Sequence, residues 1–536
     1  LESFLDLIDD VDILSGWNCL DKNSYVWLDD KISKLGNLGD LGQTKFSGKI
    51  LGYNNSGLKR KNILTTWNNI KLNASDEHKI PVYEAENKFT SLPVLEKSQK
   101  DMTVGEIKDK MKQGAKFALQ MPLGNNNNDD ITYRKLLNEN REWYFHHPKF
   151  NILIDNDILR NNIWNRLTNK EAYFKEYDLK RLARGKWTSK NLQNELTIED
   201  FKYMLDNNSS IELKLFGSRW LRINLDEKID RDLFQALGFI FSDGTWDKNS
   251  NRWSMCNTNI QCINQYAHTL GKQKHVDGAF RSDGCYYTVL YPTHPLSLIA
   301  MLIYDYNLNK TIDVERMSMI STNQFWGFIS GLVDGDGSVI QSRFIIYDFK
   351  NNVDSLQQLF IWNGIYASSC QTQVNIPFHD KIDYNLTLYH SKKAEVFANK
   401  TLKENLNTPT DKLGFYVGDG YYIVTLDSID ETDDYIEMAD IMTESQYFEC
   451  NGLKVHNSTG FDIPYIVRRV ERILGKDYTR KMCLWNLLPK RRTYEKFKKE
   501  HVTYDLIGRV HLDYLDLFMK HSMQQLHSYR LDYVAE

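Results

Sequence analysis

Val455-His456-Asn457-Ser458-Thr459-Gly460-Phe461-Asp462-Ile463-Pro464-Tyr465 is the stretch on which the division of this chain turns. Its first part ends in His-Asn against a hydroxyl. Its second part opens a helical pattern, with Ile466, Val467, Val470, Ile473 and Leu474 on one side. Near the other end, Phe4, Leu5, Ile8 and Val11 have the spacing of a short amphipathic helix, and Val11–Asn18 then reads as a strand running into a turn and stopping at a thiol, Cys19. Joined directly, Asn18 and Ser458-Thr-Gly-Phe461-Asp462 make one Asn-x-x-x-Phe-Asp string. Residues 19–457 therefore read as an insert, with Cys19 at one border and His456-Asn457 at the other.

The bulk properties fit several domains. At roughly 150 residues per domain, 536 residues predict three or four. Hydrophobic residues make up 41%, aromatic 12% and charged 26%, a globular balance. Lys plus Arg is 67 against 71 for Asp plus Glu, a net charge of −4 that excludes a wholly basic, histone-like protein and leaves room for a local basic face. The longest apolar stretch, Leu296–Tyr304, falls well short of the roughly 20 residues that span a bilayer. Seven cysteines without a CxxC pair argue against a disulfide framework or a zinc site. The chain starts at Leu1 with no signal-peptide pattern, and the expectation is a fragment of a soluble intracellular protein.

The joined string resembles the second exonuclease motif of family B DNA polymerases. The text after it, including Asn486–Arg492 and Val510–Glu536, looks like the proofreading domain of a T-even-like phage polymerase. The resemblance implies α/β exonuclease-domain fragments at residues 1–18 and 458–536, with Asp462 as one carboxylate of a two-metal site. The family's other carboxylates are absent, so these pieces alone should not degrade or copy DNA. The expected setting is the cytoplasm of a bacterial host.

The borders themselves look like those of an intein, a self-splicing insert. The Cys19 thiol can attack the Asn18 carbonyl and turn an amide into a thioester. The Ser458 hydroxyl can take over that acyl group, and the Asn457 side-chain nitrogen can close on its own carbonyl and cut the chain. The freed Ser458 amine then displaces its ester, leaving an Asn18–Ser458 peptide. Each step is slow in a free peptide, so the fold must orient groups and move protons. Lys71-Leu-Asn-Ala-Ser75-Asp-Glu-His78 resembles the intein Thr-x-x-His block with Ser75 at the Thr position. By that resemblance His78 polarises the Asn18–Cys19 amide, Ser75 assists, and His456 helps Asn457 cyclise. Asp440-Ile-Met-Thr-Glu-Ser-Gln446-Tyr-Phe-Glu-Cys-Asn451-Gly452 looks like the penultimate block, with Asp440 at its acidic position and Gln446 where the family usually has His.

A second unit sits inside. Leu233-Phe-Gln-Ala-Leu-Gly238-Phe-Ile-Phe-Ser242-Asp243-Gly244 and Phe325-Trp-Gly-Phe-Ile329-Ser-Gly331-Leu-Val-Asp334-Gly335-Asp336-Gly337 both read as apolar helices ending in Asp-Gly. The second opens with a capping box at Ser321 and Gln324. Small residues four apart, Gly238 with Ser242 and Gly331 with Gly335, let two helices cross closely. The pair resembles the signature helices of LAGLIDADG homing endonucleases, although Phe241 and the order Ala236-Leu237 depart from the pattern. The resemblance implies an α/β pseudo-twofold nuclease in which Asp243 and Asp336 hold Mg²⁺ over DNA. Ser338–Tyr347 is expected as a strand of a DNA-binding sheet and Val353–Tyr366 as the helix after it. Lys180, Arg181, Arg184 and Lys186, interleaved with aromatics, suit a DNA-contacting arm or equally a solvated helix face.

The expected architecture is multidomain. An all-β splicing fold of the hedgehog-intein kind is built from 19–122 and 408–457, with a linker and arm at 123–225 beginning in the turn-prone tract Gly124–Asp130. The nuclease occupies 226–407, closed by Asn407–Asp411. The expected function is splicing without a cofactor, together with Mg²⁺-dependent cleavage of a double-stranded homing site in the polymerase gene that lacks the insert. The expected partners are that DNA and the rest of the polymerase, with no membrane. The rival readings are a nuclease that no longer splices and a polymerase or exonuclease piece without activity of its own.

Overall fold

The computed structural model describes most of residues 19–456, and residues 476–482 and 487–505 beyond them. Residues 1–18, 86–98, 164–186, 189–195, 272–283, 390–416, 457–475 and 506–536, with some shorter stretches, lie outside the described residues. Contacts divide the chain into two units, Leu1–Asn457 and Ser458–Glu536. The second contains a 3-10 helix at Lys476–Met482 and an antiparallel hairpin of Lys490–Lys496 with Lys499–Asp505. Among the described residues no helix is long and apolar enough to cross a membrane.

In the first unit, residues 19–122 form β1 (Leu20–Asp21), β2 (Tyr25–Trp27), β3 (Gly48–Thr66), β4 (Lys71–Ala74), β5 (Lys79–Ala85), β6 (Lys100–Thr103), α1 (Val104–Lys112) and β7 (Lys116–Pro122). The middle of the chain gives α2 (Arg231–Asp243), β8 (Gly244–Asp247), β9 (Arg252–Asn257), α3 (Ile260–Thr269), β10 (Tyr286–Leu290), α4 (Thr322–Asp336), β11 (Gly337–Ile340), β12 (Arg343–Asp348), α5 (Lys350–Trp362), β13 (Ala367–Ile376) and β14 (His379–Tyr389). Residues 421–456 supply β15 (Tyr421–Thr443), β16 (Tyr447–Cys450) and β17 (Leu453–His456).

Strands from residues 19–122 and 421–456 interleave. β15 pairs along most of its length with β3, and it also takes β1 and β7 as neighbours. β17, β16, β2 and Ile32–Lys34 make a separate four-stranded sheet. The sequence supports this locally. β4 alternates exposed, buried, half-buried and buried residues, as a sheet with one wet face requires. β7 lies between β15 and β5 and is buried from Phe117 onward, so its near-continuous apolar run fits a central strand. This part is not all-β: α1 starts at a capping box, with Thr103 Oγ1 accepting from Glu106 N and Glu106 Oε2 accepting from Thr103 N. The spacing Thr103-x-x-Glu106 carries that signal in the sequence.

Residues 123–225 were expected as a linker and arm, and their described parts fold. Helices Tyr133–Glu139, Arg141–His146 and Ile198–Asn207 accompany a four-stranded sheet that includes Phe150–Ile154, Ser210–Leu215 and Leu221–Asn224. Ser210–Leu215 alternates strictly, burying Ile211, Leu213 and Leu215. The Asn tract is a clamp. A Cβ on Gly124 would come within 3.0 Å of the Ile361 and Trp362 carbonyls. Asn126 Nδ2 donates to Ile320 O (2.9 Å) and Asn363 Oδ1 (3.1 Å), and Asn128 Nδ2 donates to Asp30 O (2.8 Å) and Ser318 O (3.1 Å). Asparagine is suited to this role because one side chain can both donate and accept. The boundary expected at Asn407–Asp411 lies outside the described residues.

The middle repeats a pattern. α2 leads into β8–β9 and α3, and α4 leads into β11–β12 and α5, each group building an antiparallel sheet. Ser338–Tyr347, expected as one strand, is the hairpin β11–β12, and the expected helix after it is α5.

Candidate functional site

Three places gather the residues singled out in the sequence. At the first, Cys19 is fully buried. Its N–H donates to Ser75 Oγ (3.4 Å), and its carbonyl accepts from Ser75 N (2.9 Å). The next residue, Leu20, pairs with Ala74 on one side and Ala439 on the other. Continuing that antiparallel register by one residue sets Asp440 across from Cys19, and it is buried with Oδ1 accepting from Ile441 N (2.9 Å). His78, also buried, donates its backbone N–H to Ser75 O (3.1 Å) and accepts from Val104 N (2.8 Å). The β4–β5 turn thus holds Ser75 against Cys19 with His78 bonded back to Ser75, and the start of α1 braces that turn. Lys108 Nζ clamps Asp76 at 2.7 Å. A second thiol, Cys450, is no competing nucleophile: burial foremost, with Asp21 and Asp440 adding to it, pushes its pKa well above the thiol range.

At the second place, β17 ends in buried His456. His456 Nε2 lies 3.8 Å from Asp101 Oδ2, and Tyr447 OH donates to the same oxygen at 3.0 Å. The Tyr447 and His456 rings meet edge to face with centroids 4.9 Å apart. Burial, then the Asp101 charge, raises the Tyr447 phenol beyond its ordinary range, so it stays a proton donor to the carboxylate. Sequence reasoning missed Asp101, which sits in no motif. It passed over Tyr447, the neighbour of Gln446. Asn457, Ser458, Gln446 and Asp462 lie outside the described residues.

At the third, α2 and α4 cross. A Cβ on Gly238 would come within 3.0 Å of Phe328 O, one on Gly331 within 3.0 Å of Gln235 O, and one on Gly335 within 3.0 Å of Ser242 Oγ. Gly244 and Gly337 end the helices with φ of −100 and −87, not left-handed; glycine is needed there because a Cβ would strike Ile240 and Val333. Asp243 and Asp336 close the two helices, Asp336 exposed and Asp243 accepting from Asn257 Nδ2 (2.5 Å). Asp334 is different: it is buried and accepts a 2.5 Å hydrogen bond from the Tyr266 hydroxyl, a packing role.

Lys310 is the residue the sequence did not offer here. Its Nζ donates to Ser242 O (3.0 Å), and burial lowers its pKa while the charges of Asp336, Asp348 and Asp243 hold it up. Burial likewise raises the Asp348 carboxyl, as does Asp336, against the Asn352 and Phe349 hydrogen bonds and the Lys310 charge. A half-buried cation close to three carboxylates lets like charges approach. The oxygen donors Asp243 and Asp336 suit Mg²⁺. Among the described residues no group of three or more His, Cys, Asp or Glu is placed to hold a metal ion. Lys180, Arg181, Arg184 and Lys186 lie outside the described residues.

The model for the family B DNA polymerase exonuclease domain matches residues 450–534. The C-terminal segment is thus similar in sequence to family B polymerase exonuclease domains. A DNA-directed DNA polymerase of Escherichia phage RB69 is 36% identical over 86 residues, covering 15% of this chain and 9% of that protein. The chain thus spans less than a tenth of that relative's length. A crystal structure of I-DmoI in complex with DNA and Ca aligns with 34% of this chain and 94% of its own, at 16% identity and a TM-score of 0.23, too low for a shared fold to be drawn from it.

Proposed function

We propose that residues 19–457 are a self-splicing insert of the hedgehog-intein kind, carrying a LAGLIDADG-type endonuclease and interrupting a phage DNA polymerase. The observation that carries the splicing reading is the way strands from residues 19–122 and 421–456 interleave around Cys19. Opposite ends of a long insert would have little reason to share one core unless their junctions had to react together.

In the mechanism, Ser75 holds both backbone polar groups of Cys19, which would orient the residue for attack of its thiol on the preceding carbonyl. His78 polarises that amide as the S-acyl bond forms and the C–N bond breaks. Asp440 stands beside the thiol to manage its proton. The acyl group passes to the Ser458 oxygen. His456, held by Asp101 and Tyr447, then gives a proton to the amine leaving Asn457. Those two residues offer a route around Gln446.

For the nuclease, Asp243 and Asp336 would hold the metal, and the half-buried Lys310 cation tempers their repulsion. Bound Mg²⁺ would supply charge stabilisation for the leaving oxygen and orient water. Asp462 would serve the exonuclease once joined to Asn18.

Intact-mass measurement of the expressed chain beside an Asn457→Ala variant tests splicing. The expected result is a peptide joining residues 1–18 to 458–536 plus the free insert, with no joined peptide from the variant. Full-length chain alone in both would sink the reading and favour a nuclease that no longer splices. For the nuclease, Asp336→Asn should reduce Mg²⁺-dependent cleavage of a plasmid bearing the joined polymerase gene by about a hundredfold or more. Equal cleavage by both proteins would reject the metal role.

A further inference from the structure

The helix α5 belongs to the middle of the chain, yet its buried side reaches two turns of the β-rich part. At one, Gln357 Nε2 donates to Asn68 O (2.7 Å), Asn69 Nδ2 donates to Ser369 Oγ (3.1 Å), and Asn69 holds a left-handed φ of 65. This turn feeds β4, and β4 leads into Ser75 and His78. At the other, Gln358 Nε2 donates to Asn451 O (3.2 Å), and Gly452 packs beside Ile361. This turn feeds β17, and β17 leads into His456. Between them, Trp362 meets Trp27 edge to face at 5.3 Å and lies under Lys45 Nζ at 3.9 Å.

The second turn is tied on every side. Asn451 and Gly452 have φ of 49 and 75, as a two-residue Asn-Gly hairpin requires. Asn451 N donates to Tyr25 O (2.8 Å), its Oδ1 accepts from Tyr25 N (2.7 Å), and its Nδ2 donates to Lys71 O (3.0 Å). The Asn451 carbonyl is the remaining backbone group, and Gln358 takes it. β17 is only four residues long, so a shift at the turn reaches His456 nearly undamped.

We infer that α5 positions the two splicing borders separately, with Gln357 and Asn68 setting the Cys19 end and Gln358 and Asn451 setting the His456 end. The nuclease helix is thereby a structural part of the splicing centre, and Gln357 and Gln358 are positioning residues. The inference rests on the splicing reading.

The test uses the full chain and two separated readouts. Thiol-induced cleavage at Asn18–Cys19 is timed in an Asn457→Ala background, and Asn457 cyclisation is timed in a Cys19→Ala background. Gln358→Ala should slow cyclisation about five- to tenfold, the equivalent of one buried hydrogen bond, and leave thiol cleavage within about twofold. Gln357→Ala should do the reverse. Phe328→Ala, in the crossed-helix core away from both turns, should alter neither ratio. Parallel slowing of both steps by all three variants would reduce α5 to general stability and overturn the inference, as would wild-type rates in both glutamine variants. A parent chain that cleaves at neither border would instead overturn the splicing reading itself.

Discussion

Single residues carry more of this molecule than their types suggest. Gly331 was legible: small residues four apart on an apolar helix signal a close crossing, and a Cβ there would collide with Gln235 O. Gly331→Ala should therefore cost about 3 kcal/mol or more, because a backbone carbonyl cannot move aside. Gly114→Ala, at φ +96 with open space around it, should cost only about 1 kcal/mol of backbone strain. Chemical denaturation of the two variants gives the comparison, and similar losses would refute the crossing argument. Lys310 was not legible, since a lysine between Asn309 and Thr311 in an irregular segment matches no periodic pattern. Its charge lowers the Asp348 carboxyl, so Lys310→Met should move that carboxyl still higher, read by carboxyl carbon NMR. The sign follows: a carboxyl held above its unfolded value favours the fold at low pH, and that contribution is lost as pH rises through the folded midpoint. A downward shift in the variant would contradict the pairing.

Elements repeat the lesson at larger size. The Ser321–Gln324 capping box was read from spacing alone, and the structure contains it, with Ser321 Oγ accepting from Gln324 N at 3.0 Å. Spacing gave no hint that Gln324 Oε1 also accepts from Ile131 N (3.0 Å), or that its Nε2 donates to Ile229 O (2.7 Å). Gln324→Ala should thus destabilise by about 2–3 kcal/mol, where a cap alone is worth about 1. A thermal shift matching a bare cap loss would mean that these links contribute little. The Asn451-Gly452 turn shows the opposite failure. The dipeptide is a strong short hairpin signal, and only its place in a family block was used. Ser338–Tyr347 is expected as one strand, yet the polar run Gln341-Ser342-Arg343 separates the apolar stretches of the paired strands β11 and β12.

At the scale of the whole molecule, α5, the tract Gly124–Asp130 and Val314–Met317 fasten the middle of the insert to its β-rich ends. Glu315 Oε1 accepts from Ser33 Oγ and Lys34 N, both at 3.0 Å, and Ile32 N donates to Ser318 Oγ at 2.8 Å. With such polar ties around the Trp27–Trp362 contact, residues 19–456 should open together. Amides of Leu72 in β4 and Ile329 in α4 should exchange hydrogen with the same dependence on denaturant. Earlier opening of α4 would show that the middle unfolds by itself. The sequence by itself determined the paired Asp-Gly helices and their ends, and it suggested the borders at Cys19 and Asn457, because such features rest on bond chemistry and on interactions within a few residues. Only the tertiary structure decided that Asp101 stands by His456, that Lys310 sits among carboxylates, and that Asn126 of an asparagine-rich tract is buried. Those neighbours are chosen by packing and by the need to satisfy buried polar groups across hundreds of residues, and no local pattern encodes that choice.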